Sequence, residues 1–436
     1  MDRAHHTNCT KLGEKQVSKT AARHELLYSG RAGGARAVFA FHDLSGMDLS
    51  GRNLTDADFT GACLDETDLS DTQLDSASFV GASMNRANLA GASLRRADLR
   101  GAVLAGANLI GANLREADIR DGSAKSRTHS SAFRDFSGEI GPAEFSTALL
   151  CSANLEGAQM SGLVAVQADF SQAILRRCDL SGAQLTLSNF SGANLERAIL
   201  TDSVLTNAIL RDSVLVGVQS EGAVMDKVDM AGALTDAVRG KDPGQLSQSI
   251  DKILRAHSIW VETDGREGQP ADLSGVDLRT VTDLAHLNLN TLSAPGAVLY
   301  GLDLSGAQLQ GAQLERADLR FACLHRANLR GANLKAAKLD NADFRDADLG
   351  PLLISGERLL PTRLERADAR YADFRGAELR QADFNEADLA YADLTGANLQ
   401  ATNFRGAMLQ SVKLSFDAAI AGNFDETRCD STAVAL

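Results

Sequence analysis

The sequence predicts an all-β solenoid, a four-sided coil in two or more blocks with a short α-helical connector or cap. Three observations carry this reading. First, Leu or Phe returns at every fifth position. In ADFRGAELRQADFNEADLAYADLTGANLQ (372–400), Phe374, Leu379, Phe384, Leu389, Leu394 and Leu399 each follow an Ala by two places. Second, central phenylalanines recur 20 apart, at Phe59 and Phe79, at Phe170 and Phe190, and at Phe384, Phe404 and Phe424. Four pentads per coil would stack these rings in columns one strand spacing of ~4.8 Å apart. Third, aromatics are only 5% of the 436 residues and Pro numbers six, so the core is a thin one of Leu and Ala in an elongated chain.

In chain order, residues 1–41 form a basic N-terminal arm and cap with seven basic and three acidic groups. The arm reads as disordered to about residue 20, then as a short helix around HELLY (24–28) and an apolar lead-in strand, AVFAF (37–41). A first repeat region spans 42–238. Its first tract has central residues at 44, 49, 54 and onward to Ile119. Its second tract runs from about Phe145 to about Met230 with the phase moved by one. Between them, 122–142 reads as an excursion loop anchored by Phe133 and Phe136. In the second tract Leu163 takes a small position and Ala165 a central one, and Val218 and Ser220 repeat the exchange. These are either volume-compensating swaps or slips of register.

A helical connector is expected over 239–270, with one α-helix in DPGQLSQSIDKILRAHSIWV (242–261). Asp242 suits the N-cap, Pro243 the first helical position and Gln245 a capping box. Leu246, Ile250, Ile253 and Leu254 give the helix an apolar face. That face would either cover an open solenoid end or serve as a dimer contact. A second repeat region follows at 271–436, its regular tract running from Leu299 to about Leu414. It is interrupted at 350–363 by GPLLISGERLLPTR, read as two distorted pentads or a projecting hairpin.

Each feature of the pentad has a physical reason. The inward Ala must be small because four sides converge on one axis. The Asp or Asn before the centre can hydrogen-bond nearby backbone at a turn. Gly, frequent before the Ala, tolerates unusual corner dihedrals. Surface charges agree with a 20-residue stack. The opposite-sign pairs Glu315–Lys335, Asp318–Lys338, Arg320–Asp340, Arg326–Asp346, Arg366–Glu386, Asp393–Lys413 and Arg405–Asp425 outnumber the like-sign pairs Asp368–Asp388 and Asp373–Asp393.

The A-(D/N)-(L/F)-x-x pattern, in phrases such as ADLTGANL (392–399) and ANLRGANL (327–334), resembles the pentapeptide repeat family. The segments 261–275, 295–314 and 349–367 resemble long bacterial members with several tracts. The resemblance implies a right-handed quadrilateral β-helix and a bacterial source. It implies no single activity.

Composition and motifs narrow the function. A net charge of −13 argues against nonspecific binding to nucleic acid or to an anionic membrane. The six cysteines are far apart in sequence and read as reduced thiols of a cytoplasmic protein. There is no apolar run at the N-terminus for a signal peptide and no 18-residue apolar stretch for a membrane span. The His5–His6 pair is a weak metal site, and His42, His257, His286 and His325 read as packing or surface residues. No catalytic or cofactor motif appears, so neither an enzyme nor a bound cofactor is expected.

Two binding readings follow. In the first, the chain is a rod-like scaffold for an unidentified protein. Candidate contacts are the cationic cluster Arg86, Arg95, Arg96, Arg100, Arg115 and Arg120, unless a solvated charge ladder such as Glu66–Arg86, Asp75–Arg95 and Arg96–Glu116 accounts for it. A homodimer through the mid-chain helix or an open solenoid end is a further possibility within this reading. In the second, an acidic face including Asp56, Asp58, Asp65 and Asp68 imitates DNA and binds bacterial DNA gyrase or topoisomerase, as the resemblance suggests for some relatives. The mid-chain helix, the C-terminus without an amphipathic helix and the interleaved arginines depart from those relatives.

Overall fold

Period five obliges the backbone to turn after every fifth residue, and the hydrogen-bond ladder records where each turn stacks on the next. A computed structural model describes residues 9–122, 140–281, 284–414 and 427. The chain divides into two compact units, Met1–Ala237 and Val238–Leu436. In the first unit, parallel bridges run in four columns at 20-residue intervals. One column is Val38–Asp58–Ser78–Asp98–Asp118, and the next is Asp43–Cys63–Ser83–Val103. The other two are Asp48–Asp68–Asn88–Asn108 and Asn53–Gln73–Ser93–Asn113. The second unit repeats the arrangement, as in Asn288–Gln308–Asn328–Asp348.

A single pentad shows why five residues suffice. Around the central Leu109, the Ala107 N–H donates to Leu104 O at 3.0 Å and closes the corner. Asn108 N donates to Ala87 O in the preceding coil at 2.9 Å, and Leu109 N to Leu149 O in the next at 2.7 Å. Ile110 N donates to the Asn108 side chain at 3.2 Å. Gly111 N, in the left-handed conformation (φ 66°), donates to Cys151 O at 3.0 Å. All five donors are satisfied, as a buried backbone requires. The Asp or Asn before the centre is therefore structural, because its side chain accepts the one N–H that no carbonyl reaches. Where that position holds another residue, either its own side chain accepts, as Glu144 does from Ser146 N, or a side chain on the preceding coil substitutes. Asp65 accepts from Asn85 N at 2.8 Å, and Asn290 from Gln310 N at 2.9 Å.

Gly does occupy the left-handed corner, but Asp56, Glu66, Arg86, Arg96 and many other non-glycines hold the same φ near 60°. The corner conformation is imposed by the ladder, at a cost that glycine avoids.

Inside, the central residues and alanines are almost all fully buried. Phe39, Phe59 and Phe79 stack with centroids 5.2 and 4.9 Å apart, Phe170 and Phe190 at 4.8 Å, and Phe384 and Phe404 at 5.4 Å. Phe424 lies outside the described residues. Leu163 and Ala165 are both buried while Val164 bridges Glu144 and Gln184 in register. That exchange is a volume swap, not a slip.

Two insertions interrupt the coils without ending them. Val103 bridges Glu144 and Asn108 bridges Leu149, so 41 residues separate neighbours instead of 20. The two tracts form one continuous coil around one core, and the phase moves by one because 21 is one more than four pentads. Most of that excursion, with Phe133 and Phe136, lies outside the described residues. In the second unit Asn333 bridges Arg363, 30 residues on. The ten extra residues preserve the phase, and they form a hairpin described below.

Each unit opens with a helix. Strand β1 (Thr10–Lys11) pairs with β2 (His42–Asp43), and α1 (Glu14–Tyr28) runs between them. The helix is thus three times longer than HELLY and begins before residue 20. Val17, Ala21 and His24 share one buried face, and two of these three lie upstream of HELLY. In the second unit α2 spans Ile250–Glu262. It starts seven residues later than expected, because Asp242 caps only a 3₁₀ turn, Pro243–Gln245, accepting from Gly244 N at 2.8 Å. Gly244 and the polar Ser247–Ser249 run do not propagate that turn. Ile250 and Leu254 are buried in the coil core, and Leu246 and Ile253 pack against it.

The two helices carry the same device. Counting from the histidine, the buried residues stand at −7, −3 and 0, as Val17, Ala21 and His24 in α1 and Ile250, Leu254 and His257 in α2. His24 Nδ1 accepts from Ala37 N at 2.9 Å, and His257 Nδ1 from Ala271 N at 3.0 Å. These alanines begin the first coils, where no preceding pentad offers a carbonyl. His24 Nε2 donates to Thr55 O at 2.8 Å, filling an acceptor that the missing coil would have filled. His257 Nε2 is buried without a close partner among the described residues, with the Asn290 backbone as its polar neighbour. The residue before each histidine also accepts from the lead-in segment, Arg23 O from Ala35 N and Ala256 O from Gln269 N.

Replacing Ala387, which is fully buried, by Leu should overpack the axis and cost ~1–3 kcal/mol. An unchanged denaturation midpoint would contradict that placement. The capping histidines make a second prediction. Burial lowers the pKa of both from 6.5, in His24 against the Thr55 hydrogen bond and in His257 against the Asn290 backbone. The unfolded chain then takes up protons first, so stability should fall as pH drops below 6.5 and level off below the folded-state values. Thermal denaturation of a His24→Gln/His257→Gln variant should show a flatter dependence across that window. An identical slope would exclude the histidines as its source.

Candidate interaction surfaces

Side chains two apart on an extended segment lie on the same face. An Asp before the centre and an Arg after it therefore sit side by side, and the sequence repeats this as ADLR (97–100), ADIR (117–120), VDLR (276–279), ADLR (317–320) and ADFR (342–345 and 372–375). Each folds into a fork. Arg100 Nε and Nη2 donate to Asp98 at 2.8 and 2.6 Å, and Arg320 does the same to Asp318 at 2.8 and 2.7 Å. Arg279–Asp277 and Arg375–Asp373 match them. Burial is the largest influence on Asp277 and Asp343 and opposes ionisation, yet Arg279 and Arg345 hold both carboxyls below their usual range. The 20-residue charge ladder predicted from sequence is real at Arg366–Glu386 (2.6 Å), but the two-residue fork, which that reading missed, engages more of the arginines. Arg320 accordingly pairs with Asp318, while Asp340 meets Arg370 at 3.0 Å, 30 residues on across the hairpin insertion. Burial and the neighbouring Asp368 push the Asp340 carboxyl up to about 8, against the pull of Arg370 and Arg320.

Most of the arginines of the predicted cationic cluster are engaged by carboxylates of the coil. Arg100 is the largest fully buried side chain among the described residues, held by Asp98 and, at 3.7 Å, Asp118. Arg86 pairs with Glu66 at 2.5 Å and Arg96 with Glu116 at 2.8 Å. Arg115 lies 3.5 Å from Glu156, Arg120 forks onto Asp118, and the Arg95 backbone N–H donates to Asp75. The acidic candidates are equally engaged. Asp58 is buried and accepts from Thr60 N at 3.0 Å. Asp56 accepts from the Tyr28 hydroxyl at 2.5 Å, Asp65 from Ser83 and Asn85, and Asp68 from Ser70 and Asn88. Asp58 and Asp68 belong to different columns, so these residues do not form one strip. On the apolar face of α2, Ile250 and Leu254 are buried within its own unit, and Leu246 and Ile253 pack part-buried against the same core.

The hairpin presents a different surface. Strands β3 (Leu352–Ser355) and β4 (Arg358–Leu360) pair antiparallel through a bulged register, with Gly356 in the left-handed conformation at the tip. Its neck is stitched to the coil. Buried Thr362 donates to Leu329 O and Gly350 O, each at 3.1 Å, and accepts from Gly331 N at 3.0 Å. Arg330 Nη2 donates to Pro351 O at 2.9 Å. Leu352 and Leu360 pack over Gly331, where an added Cβ would stand 2.6 Å from Leu352. Beyond the neck, Leu353, Ile354 and Leu359 are 55, 53 and 45% exposed. β3 and β4 form a sheet of two strands, so each has one edge without a partner strand among the described residues.

The interior offers little room for a ligand. Beneath α2 the axis keeps a space of ≈ 10 Å³, lined by Ile250, Leu254 and leucines of the first coils. That is at the lower limit for one water molecule and has no polar lining to hold one. Among the described residues no group of three or more His, Cys, Asp or Glu is placed to hold a metal, and no helix is long and apolar enough to cross a membrane.

The buried fork yields a prediction. Replacing Arg100 by Leu leaves the Asp98 carboxylate without its bidentate partner and should cost about 3–5 kcal/mol. Adding Asp98→Asn should recover much of the loss in a denaturant titration. A harmless single substitution would show that the fork contributes nothing.

The family model described as pentapeptide repeats matches residues 35–71, 53–89, 82–121, 153–192, 166–202, 282–320, 312–350, 362–400 and 387–416. Among solved structures, the pentapeptide repeat protein Rfr23 from the cyanobacterium Cyanothece is 28% identical, covering 31% of this chain and 87% of its own, with a TM-score of 0.23. HetL from the cyanobacterium Nostoc is 20% identical over 91% of this chain and 95% of its own, with a TM-score of 0.17. Full-length QnrB1, a plasmid-mediated fluoroquinolone resistance protein, is 18% identical over 46% and 92%, with a TM-score of 0.20. No curated protein matches the chain. On the extent of the repeat match, which takes in more than half of the sequence, the chain belongs to the pentapeptide repeat family.

Proposed function

We propose that the chain is a non-enzymatic interaction protein whose right-handed quadrilateral coils present a projecting hairpin to a partner protein. The partner would add an extended apolar segment to an open edge of the β3–β4 hairpin, a recurrent mode of peptide recognition. One observation carries the reading. The coil interrupts itself for ten residues and re-enters in phase, exposing Leu353, Ile354 and Leu359 beyond a tightly bonded neck. Other exposed large apolar side chains, such as Leu187, Ile209 and Met408, are scattered along the repeats, and single exposed residues need no partner. Main-chain bonds along the edge would supply affinity, and the three apolar side chains would select the segment. The relatives HetL, involved in heterocyst differentiation regulation, and QnrB1 share the repeat but fix no partner here. No specific observation favours the DNA-mimic alternative, since Asp56, Asp58, Asp65 and Asp68 are engaged and divided among the faces.

The repeat itself suggests a clean test. Removing 352–361 should return the coil to its 20-residue interval, provided Pro351 is changed to Gly so that the left-handed corner can form. This variant should keep the far-ultraviolet circular dichroism of the coil and a denaturation midpoint close to that of the parent. Proteins captured by the parent should be lost from the variant, and lost too from Leu353→Asp/Ile354→Asp, and the purified candidate should bind only the parent. Equal binding to all three would refute the hairpin as the contact.

A further inference from the structure

Cys9 and Cys63 are 54 positions apart in sequence, and the fold brings them together. Cys63 stands on the second coil, its N–H bonded to His42 O and its strand position paired with Asp43. Strand β1 pairs with the other side of that segment, Lys11 opposite Asp43, and so carries Cys9 to the same corner. The two Sγ atoms lie 2.8 Å apart, and Cys9 Sγ also reaches Gly61 O at 3.5 Å. Cys9 is half-buried and Cys63 buried, and both line a shallow cleft with Asp43, Asp65 and Glu66. Cys151, Cys178 and Cys323 supply internal controls, since Cys151 hydrogen-bonds to Ser171 and Asp169 and Cys178 is buried in the coil core.

We propose that Cys9 and Cys63 are a redox-responsive dithiol, a site of disulfide formation that latches β1, and through it the α1 cap, to the second coil. The oxidant is a low-molecular-weight disulfide. The Cys9 thiolate, the more accessible of the two, attacks one sulfur of the oxidant, forming a mixed disulfide and expelling a thiolate. Cys63 then gives up its proton to the expelled thiolate, attacks the Cys9 sulfur and releases the second small thiol. Two protein thiols are oxidised, and one disulfide is reduced to two thiols. Burial, the Cys9 thiol and the carboxylates of Asp43 and Asp65 push the Cys63 thiol up to about 12. The closing step is therefore slow at neutral pH and speeds up as pH rises, so the state records sustained oxidation and not brief exposure. Once closed, the bond ties the segment leading into α1 to a coil that is held by its own ladder. The helix carrying His24 can then leave the coil end only together with the second coil.

The test uses the full chain equilibrated with oxidised glutathione, then alkylated and digested without reduction. A linked peptide pair containing Cys9 and Cys63 is expected, with Cys151, Cys178 and Cys323 outside it. The oxidised chain should show a raised denaturation midpoint that reverts on reduction, and Cys9→Ser should abolish both the link and the redox-dependent shift. Because Cys9 lies at the edge of the fold, that variant is expected to keep the reduced chain's circular dichroism and midpoint. Recovery of both cysteines as alkylated thiols, a mixed disulfide that persists on Cys9, or a redox-dependent shift that survives in Cys9→Ser would each overturn the proposal.

Discussion

The structure depends on one closure condition: every pentad must satisfy five backbone N–H groups while turning a corner. Three are met by neighbouring coils, one across the corner and one by a side chain, as the Leu109 pentad shows donor by donor. A solenoid has no independent reason for a polar residue next to its buried centre, so the recurrence of Asp and Asn there follows from this need. The same condition governs the exceptions. At the first coil of each unit a histidine from the capping helix takes the orphan N–H, and at the hairpin neck Thr362 Oγ1 shares the Gly331 N–H with Gly350 O. The irregular parts of the chain are built to complete the arithmetic of the regular parts.

The second constraint is the narrow axis. Four corners leave room for one large and one small residue per side, so the core is an array of Leu, Phe and Ala at one coil spacing. Ring columns keep that spacing even, and the Leu163–Ala165 exchange is tolerated because total volume is unchanged while the bridges stay in register. An axis filled in this way keeps no cavity of ligand size beneath α2. Recognition on such a scaffold falls to the outside.

Most of the outside is self-sufficient. Forks such as Asp98–Arg100 and Asp318–Arg320, and ladder pairs such as Arg366–Glu386, occupy charges that a sequence count would assign to partners. The exposed ladder pairs add little stability individually, but they leave few unengaged groups on the coil faces. On the proposed reading, a surface with its charges satisfied leaves a partner mainly the places where the repeat departs from itself. The hairpin and the N-terminal strap are two such places, one carrying apolar side chains outward and the other bringing two thiols together.

Period five, the Ala before each centre and the 20-residue recurrence of Phe59, Phe79, Phe170 and Phe190 made the coil legible from sequence, because each follows from local geometry repeated many times. The Asp-x-Arg forks were also written there, in ADLR and ADFR, but were hidden behind the longer charge ladder. Other features had no local signal. That α1 begins at Glu14, that Asp242 caps only a turn, and that Arg100 is buried depend on which surface is available to cover each residue. The continuity of the first two tracts, the hairpin at 352–360 and the meeting of Cys9 with Cys63 are decided by stacking. A sequence repeat states what each residue needs, whereas contacts between segments tens of residues apart exist only once coils have been laid on one another.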